Sequence, residues 1–307
     1  MNYFKKCLPV FVFAFCLCGC SNQQSPPSMP MDSFASTQMP NEVTISESTT
    51  TQEETTIQGE KKVPLDELLS TEDFASYFTK YPVAVMLLSD GVSQITYNEQ
   101  LSTERYSPCS TFKIVNSLIV LEEKVVSIED SMRKWDGTHY EIPDFNRDQD
   151  MRSAMKYSCV WYYNQLAKEV GTTTMQNYLR EIGYGNMDIS GGIDAFWLDS
   201  SLLISPKEQL DFIVRFYNND LPFSQENIEY VKSIMLQEGY PFELYGKTGS
   251  SSNGYGWFVG YAIFDDSPYF FVTYIEGEKI NGSLVREKTT EILNRVLSNK
   301  TSTNELN

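Results

Sequence analysis

The order of strand-like and helix-like segments constrains the fold of this chain more than any other feature. Residues 83–88 form a continuous apolar run that ends at Asp90-Gly91, which predicts a buried strand followed by a turn. Residues 95–97 predict the returning strand of a hairpin. Three more strands are predicted near the other end of the chain, at residues 242–245, 254–264 and 269–275.

Helical patterns fill the middle of the chain and its C-terminal end. The apolar spacing over residues 110–123 predicts a mostly buried helix. The capping sequence Ser205-Pro206-Lys207-Glu208 opens a helix that runs to about residue 217. Further helices are predicted at residues 160–170, 173–181 and 283–297. Strands at both ends with helices between them predict an α+β fold, an antiparallel sheet flanked by helices with a helical subdomain.

The first twenty residues have the pattern of an export signal. Two lysines precede an apolar stretch at residues 8–17, which is too short to span a bilayer. The following Leu17-Cys18-Gly19-Cys20 resembles the lipobox of bacterial lipoproteins. That resemblance implies a signal peptide at 1–19, a lipid anchor on Cys20 and an extracytoplasmic location at the membrane surface, on the outer face of the cell membrane or the periplasmic side. An ordinary secretory signal with incidental cysteines is the alternative.

Residues 20–62 are rich in Ser, Thr, Pro, Gln and Met and contain no apolar period. Such a segment buries too little surface to offset the entropy cost of ordering, so it predicts a flexible tether. The predicted folded domain is residues 63–299, followed by a short tail at 300–307.

Charge and rare residues exclude several functions. The formal net charge of −17 argues against nucleic-acid binding, which needs a basic face. Only Cys109 and Cys159 remain beyond the anchor, and His139 is the sole histidine. These residues have no spacing of a zinc site or a Ser-His-Asp triad, so no metal is expected. We expect His139 to lie in a loop, and the two cysteines to be buried thiols rather than a disulfide.

Ser110-Thr111-Phe112-Lys113 places a hydroxyl and an amine one helical turn apart. A hydroxyl becomes a nucleophile when a base lies beside it, and a desolvated lysine can be that base. Pro108 can start the helix, which would put Ser110 at the end where backbone N–H groups favour negative charge. The motif alone is weak, because it occurs by chance and also fits a capped helix with a surface lysine.

Two other short motifs follow in the chain. Ser158-Cys159-Val160 stands before an aromatic run and predicts a serine at a helix start, where an N-cap is the plainer interpretation. Lys247-Thr248-Gly249 lies on or at the end of a strand, where a cation and a hydroxyl can bind a carboxylate. Each is weak alone, but an S-x-x-K, an S-x-V and a K-T-G in this order are jointly specific.

The motifs and their surroundings resemble class D (oxacillinase-type) serine β-lactamases over residues 75–297. Class A enzymes and penicillin-binding proteins carry S-D-N where this chain has Ser158-Cys159-Val160. Three further matches to the class D pattern are Tyr184-Gly185-Asn186, Phe196-Trp197-Leu198 and Gly256-Trp257-Phe258-Val259-Gly260-Tyr261. The resemblance implies hydrolysis of β-lactam antibiotics.

The resemblance also implies a role for each site residue. Ser110 is acylated, Lys113 reacts with CO2 to become an N-carboxylated general base, and Trp197 donates its indole N–H to that carboxylate. Ser158 relays a proton and Lys247 assists electrostatically. No other cofactor is implied. The resemblance further implies that the N–H groups of Ser110 and Ser250 bind the oxyanion. It implies that Thr248, Gly249 and Arg286 bind the substrate and its carboxylate. It also implies that Val160 and Leu198 form the apolar wall beside Lys113.

Three other functions remain open at this stage. The same motifs occur in β-lactam-sensing receptor domains, which acylate but deacylate slowly; those receptors also carry membrane helices and an HExxH protease motif, neither of which is found here. A cell-wall transpeptidase or carboxypeptidase shares S-x-x-K and K-T-G but not the tryptophan segment. A tethered adhesin leaves the three motifs unexplained.

Overall fold

A computed structural model describes residue 65 and residues 71–304. The predicted signal peptide at 1–19, the Cys20 anchor and the whole tether predicted at 20–62 lie outside the described residues. The chain divides after Ile57, and every described residue belongs to the second unit, Gln58–Asn307. Within this described part, no helix combines the length and the apolar content needed to cross a bilayer.

A six-stranded antiparallel sheet forms the centre of the described part. Its spatial order is β2-β1-β6-β5-β4-β3, so the N-terminal hairpin pairs with the C-terminal strands through β1 and β6. The strands are β1 (Val83–Ser89), β2 (Gln94–Tyr97), β3 (Leu236–Gln237), β4 (Glu243–Ser250), β5 (Tyr255–Phe264) and β6 (Ser267–Glu276). The predicted antiparallel sheet is therefore confirmed.

Helices cover both faces of this sheet. They are α1 (Thr71–Phe78), α2 (Lys113–Glu122), α3 (Met151–Tyr157), α4 (Val160–Val170), α5 (Thr172–Ile182), α6 (Pro206–Tyr217), α7 (Gln225–Ile234) and α8 (Gly282–Asn304). Short 3-10 turns occur at Glu99–Thr103, Cys109–Phe112 and Pro143–Phe145. The predicted capping box at Ser205 is present, with the Glu208 N–H donating to Ser205 Oγ.

Alternate residues of β1 enter two separate cores. Val85 and Leu87 join the core beneath the helical layer, whereas Met86 and Leu88 join the core on the opposite face, which α1 and α8 cover. Because both faces are buried, this strand is a continuous apolar run rather than an alternating one. The same arrangement buries every residue of α2 from Lys113 to Leu121.

The structure corrects several predicted boundaries. Helices α1, α3 and α7 were not predicted. Helix α8 continues to Asn304, so the boundary predicted at residue 299 falls inside it. Ser158 is not at the start of a helix: it follows the last residue of α3, in a left-handed conformation with φ of 60°. Helix α4 begins two residues later, at Val160.

Candidate active site

The nucleophile motif lies in a tight turn that leads into the central helix. Pro108 precedes the 3-10 turn Cys109–Phe112, and α2 continues from Lys113. This geometry places Lys113 Nζ 2.8 Å from Ser110 Oγ. The Ser110 N–H lies in the first turn, where N–H groups have no acceptor within the helix. The turn therefore offers a hydroxyl with an amine beside it and a backbone donor for a developing oxyanion.

The amine of Lys113 is removed from solvent, with no exposed surface on this residue. Burial lowers the pKa of Lys113 to about 7, because a low-dielectric surrounding disfavours the ammonium form. Its Nζ lies 5.4 Å from the centre of the Tyr163 ring. A large fraction of Lys113 is consequently neutral at neutral pH, which is the form that accepts a proton from a hydroxyl.

A second serine–lysine pair faces the first. Lys247 Nζ donates to Ser158 Oγ at 3.0 Å and to the Thr248 carbonyl at 3.0 Å. Burial, with the positive charges of Lys113 and Arg286, holds the pKa of Lys247 well below its usual range. The left-handed backbone at Ser158 turns this hydroxyl toward the strand that carries Lys247. The S-x-V and K-T-G motifs are thus joined by the hydrogen bond between Ser158 and Lys247.

Glycine in the third motif allows β4 to approach the nucleophile turn. A Cβ added at Gly249 would lie 2.9 Å from the Pro108 carbonyl oxygen and 3.2 Å from Thr111 Cγ2. Ser250 ends β4, and its Oγ accepts a hydrogen bond from the Gly282 N–H at 2.9 Å. The close approach brings the end of β4 beside Ser110, where the Ser250 N–H was predicted to complete the oxyanion site.

Trp197 is fully buried against the nucleophile turn. Its ring stacks on Phe112, with centroids 5.5 Å apart. Ser107 holds the backbone in place, since its Oγ donates to the Trp197 carbonyl and its own carbonyl accepts from the Trp257 indole. The Trp197 indole N–H has no hydrogen-bond partner among the described residues. A buried donor of this kind is suited to an anionic acceptor.

The remaining predicted residues surround these pairs. Arg286, on α8, donates to Gln237 Oε1 at 3.0 Å, and its charge acts on the pKa of Lys247. Thr248 Oγ1 lies 3.4 Å from Lys247 Nζ. Val160 and Leu198 are half-buried and pack against the apolar core that contains Phe112 and Trp197. The three motifs therefore meet at one place, with the predicted arginine beside them.

An acidic residue that the sequence analysis did not single out holds the rim of the site. Asp199 accepts hydrogen bonds from the Ser252 N–H at 2.9 Å, the Ser252 hydroxyl at 2.8 Å and the Tyr255 hydroxyl at 2.9 Å. It also lies 3.6 Å from Cys109 Sγ. Asp199 thereby connects the tryptophan segment to the loop after Lys247-Thr248-Gly249, and no local sequence signal indicates this long-range contact.

The other residues considered from the sequence lie as follows. Cys109 and Cys159 are buried and free, and burial raises the pKa of Cys109 to about 12. His139 is exposed in a loop, as predicted. Among residues 71–304, no group of three His, Cys, Asp or Glu side chains is placed to hold a metal ion.

The fold brings two serine–lysine pairs together, Ser110 with Lys113 and Ser158 with Lys247, whereas the sole histidine of the sequence lies in an exposed loop. Residues 41–298 match the family model of the penicillin binding protein transpeptidase domain. The chain belongs to this family, in the part of it that contains class D β-lactamases and β-lactam receptor domains. The match begins within the segment predicted as a tether.

Two relatives represent two branches of this family, the class D β-lactamases and the β-lactam receptors. The chain is 43% identical over 202 residues to "Probable beta-lactamase YbxI" of Bacillus subtilis, which covers 65% of this chain and 74% of that protein. It is 41% identical over 233 residues to "Regulatory protein BlaR1" of Bacillus licheniformis, which covers 73% of this chain. The match spans 39% of the length of that regulatory protein.

Solved structures show the same two branches. The class D β-lactamase BAT-2 delta mutant is 41% identical, with a TM-score of 0.71, and the match covers 76% of this chain and 97% of that one. The C-terminal domain of the Bacillus licheniformis BlaR penicillin receptor is 38% identical, with a TM-score of 0.68, and the match covers 72% and 94%. The fold is therefore shared by a β-lactamase and a penicillin-receptor domain.

Proposed function

We propose that this protein hydrolyses β-lactam antibiotics through an acyl-enzyme on Ser110. The observation that carries this proposal is the 2.8 Å contact between Ser110 Oγ and Lys113 Nζ, with a Lys113 pKa of about 7. A hydroxyl held against a largely neutral amine can lose its proton as it attacks a carbonyl carbon. The class D relatives support β-lactams as the substrate class.

The acylation step uses both serine–lysine pairs. Ser110 Oγ attacks the lactam carbonyl carbon as its proton moves toward Lys113, and the N–H groups of Ser110 and Ser250 stabilise the oxyanion. The lactam C–N bond then breaks, and the nitrogen takes a proton from the Ser158 hydroxyl, which Lys247 can replenish across 3.0 Å. The product is an ester on Ser110. A water molecule then adds to the ester carbonyl carbon, the bond from that carbon to Ser110 Oγ breaks, and Ser110 regains the proton that the water gives up as the opened product leaves.

Lys113 and Trp197 also fit the N-carboxylation of the lysine. The neutral amine is the form that reacts with CO2, and burial favours it. The unpartnered indole N–H of Trp197 is a donor suited to an anion in this buried place. When present, the carbamate supplies a general base for acylation and for the deacylating water. An anion at Lys113 would also reverse the charge that lowers the pKa of Lys247.

A receptor that acylates and then stays acylated is the second candidate, and the BlaR similarity favours it. Kinetics separate the two. We expect the soluble domain from residue 63 to convert many molecules of a chromogenic penicillin per enzyme molecule after the first burst. A burst equal to one enzyme equivalent, with no further product, would replace hydrolysis by the receptor function.

We further propose that the protein is a membrane-anchored lipoprotein on the extracytoplasmic side, with Cys20 carrying the lipid. The support is the position of Cys20 at the end of the apolar stretch, where two acyl chains would anchor it stably. Its proposed partners are therefore the membrane and β-lactam molecules, without nucleic acid.

Cys20→Ala is expected to release the protein from the membrane fraction or to leave an uncleaved precursor, because the mutant lacks the thiol that takes the lipid. Labelling of cells with radioactive palmitate, followed by fractionation, measures both effects. Cys18→Ala is the matched control and should leave labelling intact. Equal fatty-acid labelling of wild type and Cys20→Ala would contradict the proposal.

A further inference from the structure

A second cavity adjoins the proposed active site. Its volume is about 410 Å³, which is within the range of small-molecule sites. It lies between α3, the end of α7 and β3, and Arg286 from α8 forms part of its wall. Arg286 donates to Gln237, and Gln237 Nε2 donates to the Gly246 carbonyl at 3.2 Å, so the cavity begins one residue away from Lys247 in the chain.

The lining of this cavity is positively charged. It contains Arg152, Lys156 and Arg286, against Glu238 as the sole carboxylate of the lining. Within residues 71–297, none of the three cations is within ion-pair distance of a carboxylate. The chain as a whole has a formal net charge of −17. Three cations against one carboxylate around one cavity are therefore a local reversal of the protein's charge.

The contacts of these cations are with neutral groups. The Arg152 guanidinium lies 3.4 Å from Ser233 Oγ and 3.5 Å from the Ser233 carbonyl. The Lys156 ammonium lies 6.0 Å from the centre of the Tyr157 ring. Such partners orient a charged group without neutralising it. Arg286 is held in the same way, by Gln237 Oε1.

We propose that this cavity is a second anion subsite, which binds a carboxylate on the substituent that a β-lactam carries beyond its ring carboxylate. This inference rests on the proposed β-lactam function. The ring carboxylate of the substrate needs one cation, and Arg286, on the Lys247 side of the cavity, can supply it. Arg152 and Lys156 are then available to a second anion, and Tyr157 and Leu236 line the same cavity. The favoured substrate class is a cephalosporin with an acidic group on its C3 substituent.

The test compares two cephalosporins that differ only in a carboxyphenyl or a carboxamidophenyl group at C3. We expect the wild-type protein to show a higher kcat/KM for the carboxylate. Arg152→Gln and Lys156→Gln should each lower the carboxylate-to-carboxamide ratio about two- to fivefold, the effect of one exposed ion pair. Added salt should lower the wild-type ratio too, because it screens exposed charges.

Arg180→Gln is the matched control, since Arg180 is an exposed cation outside the cavity lining. It should leave the ratio unchanged. A wild-type ratio of one, or a ratio that Arg152→Gln and Lys156→Gln do not lower, would overturn the subsite while the carboxamide is still hydrolysed. If the protein turned over a chromogenic penicillin but neither cephalosporin, the favoured substrate class would be overturned; if it turned over none of the three, the proposed hydrolase itself would fail.

Discussion

Ser110→Ala is expected to abolish covalent labelling by a fluorescent penicillin and to reduce kcat by at least about 10⁴-fold, as removal of a catalytic nucleophile does in other serine enzymes. The reason is local: Ser110 Oγ is the hydroxyl that the Lys113 amine contacts at 2.8 Å. Gel fluorescence and intact-protein mass spectrometry measure the label, and a chromogenic substrate measures kcat. The fold should remain, since the substitution removes one oxygen atom at a partly exposed position.

Ser283→Ala provides the control for this experiment, because Ser283 is an exposed serine in the first turn of α8. It should label and turn over as the wild type does. The thermal unfolding midpoints of both variants should lie near that of the wild type. Labelling of Ser110→Ala at a single site would assign the nucleophile to another residue and end the mechanism proposed for this pair.

Trp197→Phe is expected to slow deacylation by roughly 10²-fold, the lower range for loss of general-base catalysis, and to slow acylation less. Phenylalanine keeps the ring packing against Phe112 but removes the indole N–H, which has no protein partner in the described part of the chain. Without this donor, an anion on Lys113 loses a hydrogen bond in a buried place. Quenched-flow mass spectrometry should show accumulated acyl-enzyme.

The same site predicts a dependence on pH and CO2. Burial lowers the pKa of Lys113 to about 7, so the neutral amine predominates above that pH and the ammonium below it. Only the amine reacts with CO2. Wild-type activity should therefore fall as the pH drops below about 7, and bicarbonate should restore part of it. Trp197→Phe should need more bicarbonate at every pH.

Trp135→Phe is the control for both experiments. Its indole donates to the Thr138 carbonyl at 2.8 Å, outside the three motifs, so the substitution removes a structural hydrogen bond without touching the nucleophile turn. It should leave the bicarbonate dependence unchanged. A wild-type protein stripped of CO2 at mildly acidic pH, yet fully active and indifferent to bicarbonate, would remove the carbamate while leaving Ser110 as the nucleophile.

Much of the fold was readable from local sequence patterns. The apolar run at residues 83–88 predicted a buried strand because both of its faces are covered, and the capping box at Ser205 predicted the start of α6. Helix α3 and the left-handed residue Ser158 were missed. Seven residues are too few to establish a helical period, and a conformation with positive φ at serine has no strong local signal.

The sequence by itself determined the chemical groups of the site, because S-x-x-K fixes a hydroxyl and an amine one turn apart on any helix. Only the tertiary structure decided what those groups can do. Lys113 has a lowered pKa because α2 is buried, and Ser158 meets Lys247 because two segments 89 residues apart are packed together. Burial and long-range contact depend on the whole packed chain, and a local motif carries no information about either.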